Sequence, residues 1–470
     1  MPGPTTERPR RETVTTIRSD GSRKFLFPAD ARGRFATLRR YSALALIGFY
    51  LLLPWVPVNG YPAAFFDLAG RRFHLFGLTF AAQDLWLMFF VITGVGFGLF
   101  FITALLGRVW CGYACPHTVF LDHVYRRIER WIDGDAVQRR ALADAPLSAR
   151  KVTRRVVKHS LYLLVSAGIM HLFLAYFVSL PEVWHMIRSA PTEHWGAFAF
   201  MAVSTGVLYF NFAWFREQLC IVICPYGRIQ SALIDESTVV IGYDRKRGEP
   251  RGRAGTVDAG DCIDCTRCVQ VCPTGIDIRQ GLQMECIGCT ACIDACDDVM
   301  KRVGRPQGLI RYDSQAGFAH RRTRWIRPRT ILYFALLLAG AIAATVALST
   351  VRPFNFGVTR MVGAPYIVDG GTVRNQFLVR LVNKRNAPVD FEVTLQAEEP
   401  GVRHTGFETT VRVAPLQEIV QPFILQQERK AYDGPFKFRL EAKDAAGSFK
   451  IERAVEFLGP NPLLLPKEAP

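Results

Sequence analysis

Residues 262–273 read C-I-D-C-T-R-C-V-Q-V-C-P, and residues 286–296 read C-I-G-C-T-A-C-I-D-A-C. Each is a C-x2-C-x2-C-x3-C run. Thiolates at i, i+3 and i+6 wrap one corner of an iron–sulfur cubane, and a remote fourth thiolate closes it. In two-cluster ferredoxins the fourth cysteine of each run serves the other cluster. The spacing therefore assigns Cys262, Cys265, Cys268 and Cys296 to one 4Fe–4S cluster, and Cys286, Cys289, Cys292 and Cys272 to a second. Paired zinc sites are the rival reading. The connector between the runs is short, and Asp297 stands after Cys296 where a ferredoxin carries proline.

Four of the 12 cysteines remain. They form two C-x3-C-P pairs, Cys111/Cys115 before Pro116 and Cys220/Cys224 before Pro225. Each follows a strongly apolar stretch. Cysteines at i and i+4 share a helix face, and the prolines suit the first turn of a following helix. Cys115 and Cys224 would then stand at helix N-termini, whose dipoles with nearby arginines would draw these two thiols toward thiolate, and two thiolates make a soft site suited to Cu(I). A third cluster or a zinc held by all four, a dithiol relay and plain packing cysteines stay open.

Five stretches approach the ~20 residues that a membrane helix needs: Tyr41–Val58, Asp84–Leu106, Val156–Leu180, Trp195–Phe215 and Thr330–Leu348. The net charge of +17 is unevenly spread. Lys and Arg crowd segments 1–40, 107–155 and 216–329, whereas loop 59–83 has only Arg71 and Arg72 and loop 181–194 only Arg188. This is the positive-inside pattern. It predicts a multi-pass protein of the bacterial inner membrane with every cysteine on the cytoplasmic side and residues 351–470 in the periplasm. No base-reading module accompanies the charge, so nucleic acid is not expected as a partner.

The expected architecture is a basic disordered tail (1–38), a four-span region with both C-x3-C-P motifs (39–240), a ferredoxin-like α+β domain with charged linkers (241–328), a fifth transmembrane helix (329–350) and a C-terminal domain (351–470). In the last, six or seven short alternating runs suggest an antiparallel immunoglobulin-like β-sandwich. The two C-x3-C-P pairs each follow two spans, which suggests a parallel duplication.

Several histidines are candidates beside the cysteines. His171, next to Met170, is ionisable within a span. His117 and His123 follow the first pair and could support a metal there. His185, Met186 and His194 lie in the loop opposite the cysteines and could meet metal there. No Rossmann or Walker pattern is present.

W-C-G-Y-A-C-P (110–116), C-I-V-I-C-P-Y-G-R-I-Q-S (220–231), G-L-Q-M-E-C-I-G-C-T-A-C-I-D-A-C-D (281–297) and N-Q-F-L-V-R-L-V-N-K (375–384) resemble the FixG/RdxA family of cytochrome c oxidase accessory proteins, over nearly the whole chain. The Asp after Cys296 is normal for that family. The resemblance implies two 4Fe–4S clusters and reduction of Cu(II) to Cu(I) for assembly of cbb3-type cytochrome c oxidase. It carries copper handling to Cys111, Cys115, Cys220 and Cys224, with copper as substrate. Copper-delivery or oxidase-assembly proteins are the implied partners, beside the lipid membrane and an unidentified electron donor; homodimer formation is left open. A membrane polyferredoxin subunit without copper chemistry is the alternative.

Overall fold

The structure, a computed structural model, describes residues 25–464 except 71, 82, 83, 85, 254, 257, 351, 352, 386, 407–409, 445, 446 and 448. The chain divides into two compact units: residues 1–77 with 86–345, and residues 78–85 with 346–470.

In the first unit the helices are α1 (Arg34–Leu52), α2 (Leu87–Leu106), α3 (Val109–Tyr113), α4 (Pro116–Phe120), α5 (Arg126–Asp133), α6 (Ala136–Asp144), α7 (Ala149–Val178), α8 (Leu180–Arg188), α9 (Trp195–Phe210) and α10 (Pro225–Leu233). Strand β1 (Val239–Tyr243), α11 (Arg267–Gln270), α12 (Ala291–Arg302), β2 (Ile310–Ser314) and α13 (Pro328–Ser349) follow. Four helices are long and apolar enough to cross a bilayer among the described residues: α2, α7, α13, and α9 with the wide turn that extends it to Phe215. This is a membrane protein. The expected five spans are not all matched. Helix α1 covers most of the first predicted span, but Arg34, Arg39 and Arg40 occupy its first two turns.

The tail predicted to be disordered through residue 38 is corrected in part, residues 1–24 lying outside the described ones. The Asp294 carboxylate of α12 accepts hydrogen bonds from the Phe35 and Ala36 N–H groups, at 3.3 and 2.6 Å. A carboxylate there satisfies donors that a helix start leaves orphaned and meets the positive end of its dipole. Just upstream, Ala29 N–H donates to the Gln270 carbonyl at 2.8 Å. The charged linkers are also corrected. β1 and β2 pair antiparallel, Val239 opposite Ser314 and Tyr243 opposite Ile310. They close a core of Ile241, Ile276, Ile278, Ile293, Met300 and Ile310 around the cysteines. The ferredoxin-like segment is thus packed into the helical unit rather than held apart from it.

Among the described residues the second unit is a β-sandwich of nine strands: β3 (Phe354–Arg360), β4 (Ile367–Asp369), β5 (Thr372–Asn383), β6 (Val389–Gln396), β7 (Val402–Thr405), β8 (Thr410–Val413), β9 (Glu418–Glu428), β10 (Phe436–Asp444) and β11 (Lys450–Phe457). One sheet runs β7-β9-β5-β3 with β4 also on β5, the other β8-β6-β10-β11. Alternate side chains of β5 point inward. Phe377, paired with Phe423 across the strands, meets Phe438 of the facing sheet edge-on at 5.4 Å. Seven buried phenylalanines do here what a disulfide and tryptophan do in antibody domains. The sequence pattern found six of these strands; β3, β4 and β7 were missed, being short or poorly alternating.

Candidate iron–sulfur and thiol centre

The two C-x2-C-x2-C runs fold alike. The residue before the second cysteine has positive φ in both, Asp264 (53°) and Gly288 (68°). So does the threonine after it, Thr266 (56°) and Thr290 (63°), each at the start of a helix that carries the third cysteine. Such turns aim successive side chains at one point. The thiols then sort as crossed ligation requires. Cys296 lies within electrostatic reach of Cys268, Cys262 and Cys265, while Cys292 faces Cys289, Cys286 and Cys272 most strongly. Burial, with crowding by the neighbouring thiols, pushes Cys268 and Cys296 up to about 12 and Cys286 to about 11. Crowded sulfurs such as these need a cationic centre to be held as thiolates. Backbone N–H groups of Gly288 and Ala291 already bond the sulfurs of Cys286 and Cys289. The residues present fit two 4Fe–4S clusters. In the first group Cys265 is exposed and Cys262, Cys268 and Cys296 are buried; in the second Cys289 is buried and the other three are half-buried.

The two C-x3-C-P pairs fold alike as well. Cys115 and Cys224 cap α4 and α10 with nearly equal angles, φ −61° and ψ 123° against φ −62° and ψ 111°, and each proline takes the first helical turn. Each pair straddles a helix break, in place of the single helix face expected. Cys115 N–H reaches the Trp110 carbonyl at 2.9 Å, and Cys224 N–H the Leu219 carbonyl at 2.8 Å, both spanning five residues. Wide turns of this kind recur at functional sites. The pairs come together: Cys220 lies within electrostatic reach of Cys115, Cys111 and Cys224. Burial pushes Cys111 up to about 12, and neighbouring thiols push the same way while Arg108 opposes them. Cys220 is pushed higher still by burial and its thiol neighbours. At Cys111 desolvation outweighs the arginine.

This thiol group adjoins the second cluster's ligands. Gly112 packs so closely on the Gly288–Cys289 turn that a Cβ on it would sit 2.4 Å from the Gly288 oxygen. Arg108 donates to the carbonyls of Met284 and Gly227, joining the cluster loop to the second C-x3-C-P segment. Tyr113 OH bonds Thr290 Oγ1 at 2.9 Å. Arg39 reaches the Gly112 carbonyl at 2.7 Å and pairs with Asp122. Sequence reading missed Arg108, Arg39 and Gly112. For Arg108 and Gly112, on the flanks of Cys111, that placement was the available signal; Arg39 is distant in sequence and gave none.

Beneath lies an ion-pair network that was also missed. Glu129 binds Arg216 at 2.9 Å and Arg139 at 3.2 Å, and Arg126 binds Glu217 at 3.3 Å and the Pro273 carbonyl at 3.0 Å. Burial would raise the Glu129 carboxyl, but Arg216 and Arg126 hold it at about 2.

His117 is corrected as a metal candidate. Its Nε2 contacts the Arg216 carbonyl at 2.9 Å, its Nδ1 lies 3.3 Å from Asn211 Nδ2, and its ring stacks on Phe212. Both nitrogens are engaged. His123 faces the arginines Arg39, Arg40 and Arg127, which with burial hold it at about 4; these cations oppose a metal there. His171 Nδ1 bonds the Ala167 carbonyl one turn back, at 2.7 Å.

Comparison with known proteins agrees with this site. Residues 215–315 match the family model described as a 4Fe-4S dicluster domain, 87–134 a 4Fe-4S binding domain, and 344–460 the Ig-like fold at the C-terminus of FixG. RdxB of Cereibacter sphaeroides is 36% identical over 84% of this chain and 87% of its own. RdxA of the same organism is 38% identical over 76% and 79%. The nitrogen fixation protein FixG of Rhizobium meliloti is 34% identical over 79% and 80%. A crystal structure of a FixG-related protein from Vibrio parahaemolyticus covers 23% of this chain and 97% of its own, at 20% identity and a TM-score of 0.21, too slight a likeness to argue from. On the cysteine runs, the Ig-like sandwich and these relatives, the chain is an iron–sulfur membrane protein that belongs to the FixG/RdxA family.

Proposed function

We propose that this chain is a membrane-bound oxidoreductase that reduces Cu(II) to Cu(I) at the C-x3-C thiols, for assembly of cbb3-type cytochrome c oxidase. The observation that carries the reading is the convergence of Cys111, Cys115, Cys220 and Cys224 beside the Gly288–Cys289 turn. Cys262, Cys265, Cys268 and Cys296 would hold one 4Fe–4S cluster and Cys286, Cys289, Cys292 and Cys272 the other, which when bound would supply one-electron chemistry. The chain supplies the rest. Buried thiols favour a soft, weakly hydrated monovalent ion over a hydrated divalent one, and each releases its proton on binding. Arg108 fixes the two motifs against the cluster loop. The exposed Cys265 offers the side on which an electron donor docks.

In this reading α1 is a fifth span: Leu44, Phe49, Leu51 and Leu52 on it are exposed apolar side chains. The cysteines then face the cytoplasm and the sandwich the periplasm of a bacterial inner membrane, as the Lys/Arg asymmetry of the loops supports. The sandwich would receive copper-delivery or oxidase-assembly proteins.

The test is anaerobic. The clusters are reduced, excess reductant is removed, and Cu(II) is added with a chromogenic Cu(I) chelator. Wild type should produce Cu(I) as its clusters oxidise. Cys111→Ser/Cys115→Ser and Cys220→Ser/Cys224→Ser should each fail with clusters intact. Equal rates in all three would leave nonspecific leakage from the clusters and sink the proposal.

A second reading is electron transfer between quinol and a partner, without copper. It is favoured by a cavity of about 310 Å³ against Cys286, lined by Leu106, Val109, Leu282 and Met284 with Arg108 and Gln283 at the end of α2. It is also favoured by the 4Fe-4S match over 87–134, which holds only Cys111 and Cys115. Iron analysis separates a third cluster, about 12 Fe per chain, from two, about 8.

A further inference from the structure

A second group of metal-binding side chains lies at the opposite end of the helices from the cysteines. Helix α7 runs for 30 residues, ~45 Å, away from the basic segment. Ser179 breaks it with φ 69°, and the short helix α8 follows. Glu182 and His185 stand one turn apart on α8, on the same face. The chain returns through residues 189–194, and His194 immediately precedes α9. One carboxylate oxygen of Glu182 and one ring nitrogen of each histidine all lie within 4.8 Å of one another.

Two other facts point the same way. Glu182 enters no ion pair among the described residues, although Arg188 is on the same helix; Arg188 lies over the Trp184 ring instead. And His194 forms one wall of a cavity of about 240 Å³ whose other walls include His171, Met186 and Met201. A surface carboxylate beside two histidines is often just solvated. Here three donors come from two elements, with further imidazole and thioether groups directly behind.

We propose that Glu182, His185 and His194 bind a divalent transition-metal ion, Cu(II) most tightly. Two imidazoles and one carboxylate are borderline donors. At such N/O sites affinity rises through the first row to a maximum at Cu(II), then falls at Zn(II). Bonds of about 2.0–2.2 Å require the three side chains to turn their ligand atoms closer together. Ca(II) and Mg(II), which want oxygen ligands, are disfavoured. The site does not depend on the copper-reductase reading, since N/O donors bind the ion whatever the thiols do.

The experiment uses the full-length protein in lipid nanodiscs, anaerobic, with its clusters oxidised and no reductant. Cu(II) is titrated in and followed by electron paramagnetic resonance. Copper held by the thiols lacks coupling to imidazole nitrogen, so the nitrogen-split species reports the N/O site. The expected result is one Cu(II) species split by two imidazole nitrogens. His185→Ala/His194→Ala should lose it, and Glu182→Gln should shift its half-saturation to higher copper. Retained cluster absorbance shows that the variants are folded. If the double variant misfolds, the single variant His185→Gln, on the exposed face of α8, should leave coupling to one nitrogen only. Equilibrium dialysis with Zn(II) checks the preference. A spectrum without nitrogen coupling, a double variant with the wild-type spectrum, or tighter Zn(II) than Cu(II) binding overturns the proposal.

Discussion

Replacing Gly112 by alanine tests whether the contact between the thiol turn and the cluster loop matters for electron flow. The new Cβ would lie 2.4 Å from the Gly288 oxygen, 2.7 Å from its carbonyl carbon and 3.1 Å from the Cys289 Cα, where ordinary contact begins near 3.4 Å. All three neighbours are backbone, so no side chain can swing away. The cluster loop has little room to give: at Gly288 itself, an added Cβ would already be 2.8 Å from the Arg108 oxygen. The two turns must part by about 1 Å, at an overpacking cost of about 1–3 kcal/mol. Misplacing reacting groups by 1 Å can cost up to about 100-fold in rate. We expect Gly112→Ala to keep full iron content, melt a few degrees lower, and make Cu(I) at a rate reduced on the order of 10- to 100-fold. The assay is stopped-flow oxidation of pre-reduced clusters by Cu(II), with the chelator reporting Cu(I). Gly94→Ala in α2, where an added Cβ meets nothing within 4 Å, is the control. A Gly112→Ala protein with wild-type kinetics would refute the reasoning, because the contact would then carry no part of the electron path.

Three further outcomes follow from the packing. Glu129→Ala removes the nearer carboxylate of buried Arg216, leaving Glu217 at 3.9 Å, and should cost about 3 kcal/mol, read as a loss of folded protein in a detergent-based thermal assay. The same carboxyl sets an acid limit. Its folded pKa, about 2, is depressed from 4.5, so its contribution is complete above 4.5 and disappears as pH falls toward 2. The wild type should thus lose on the order of 3 kcal/mol across that window, and the Glu129→Ala variant much less, in pH-dependent melting. Phe377→Ala should destabilise the sandwich by about 3–5 kcal/mol, since its ring is fully buried against Phe423 and Phe438. Cluster absorbance should stay unchanged, because Phe377 belongs to the other compact unit.

Much of this protein was legible in its sequence, because the relevant physics is local or periodic. Thiolate spacing within a run fixes which cysteines can share a cubane. Continuous apolar length marks α2, α7, α9 and α13 as spans, and alternation marks the long strands β5 and β9. The prolines after Cys115 and Cys224 announce helix starts, and those helices begin there. Tertiary structure decided what depends on distant segments meeting. Whether the two C-x3-C-P pairs make one group or two is a matter of helix packing, and the packing brings all four thiols together. The end of the tail read as disordered is held where Asp294 caps α1, and the segments read as charged linker supply β1 and β2, which pair around the cysteine core. The Cys111 and Cys220 thiols are pushed up by burial, a quantity no local pattern encodes. His117, a plausible ligand by its place after Cys115, spends both ring nitrogens on Arg216 and Asn211 from another helix. And Glu182, His185 and His194 become neighbours only because the chain turns back between α8 and α9.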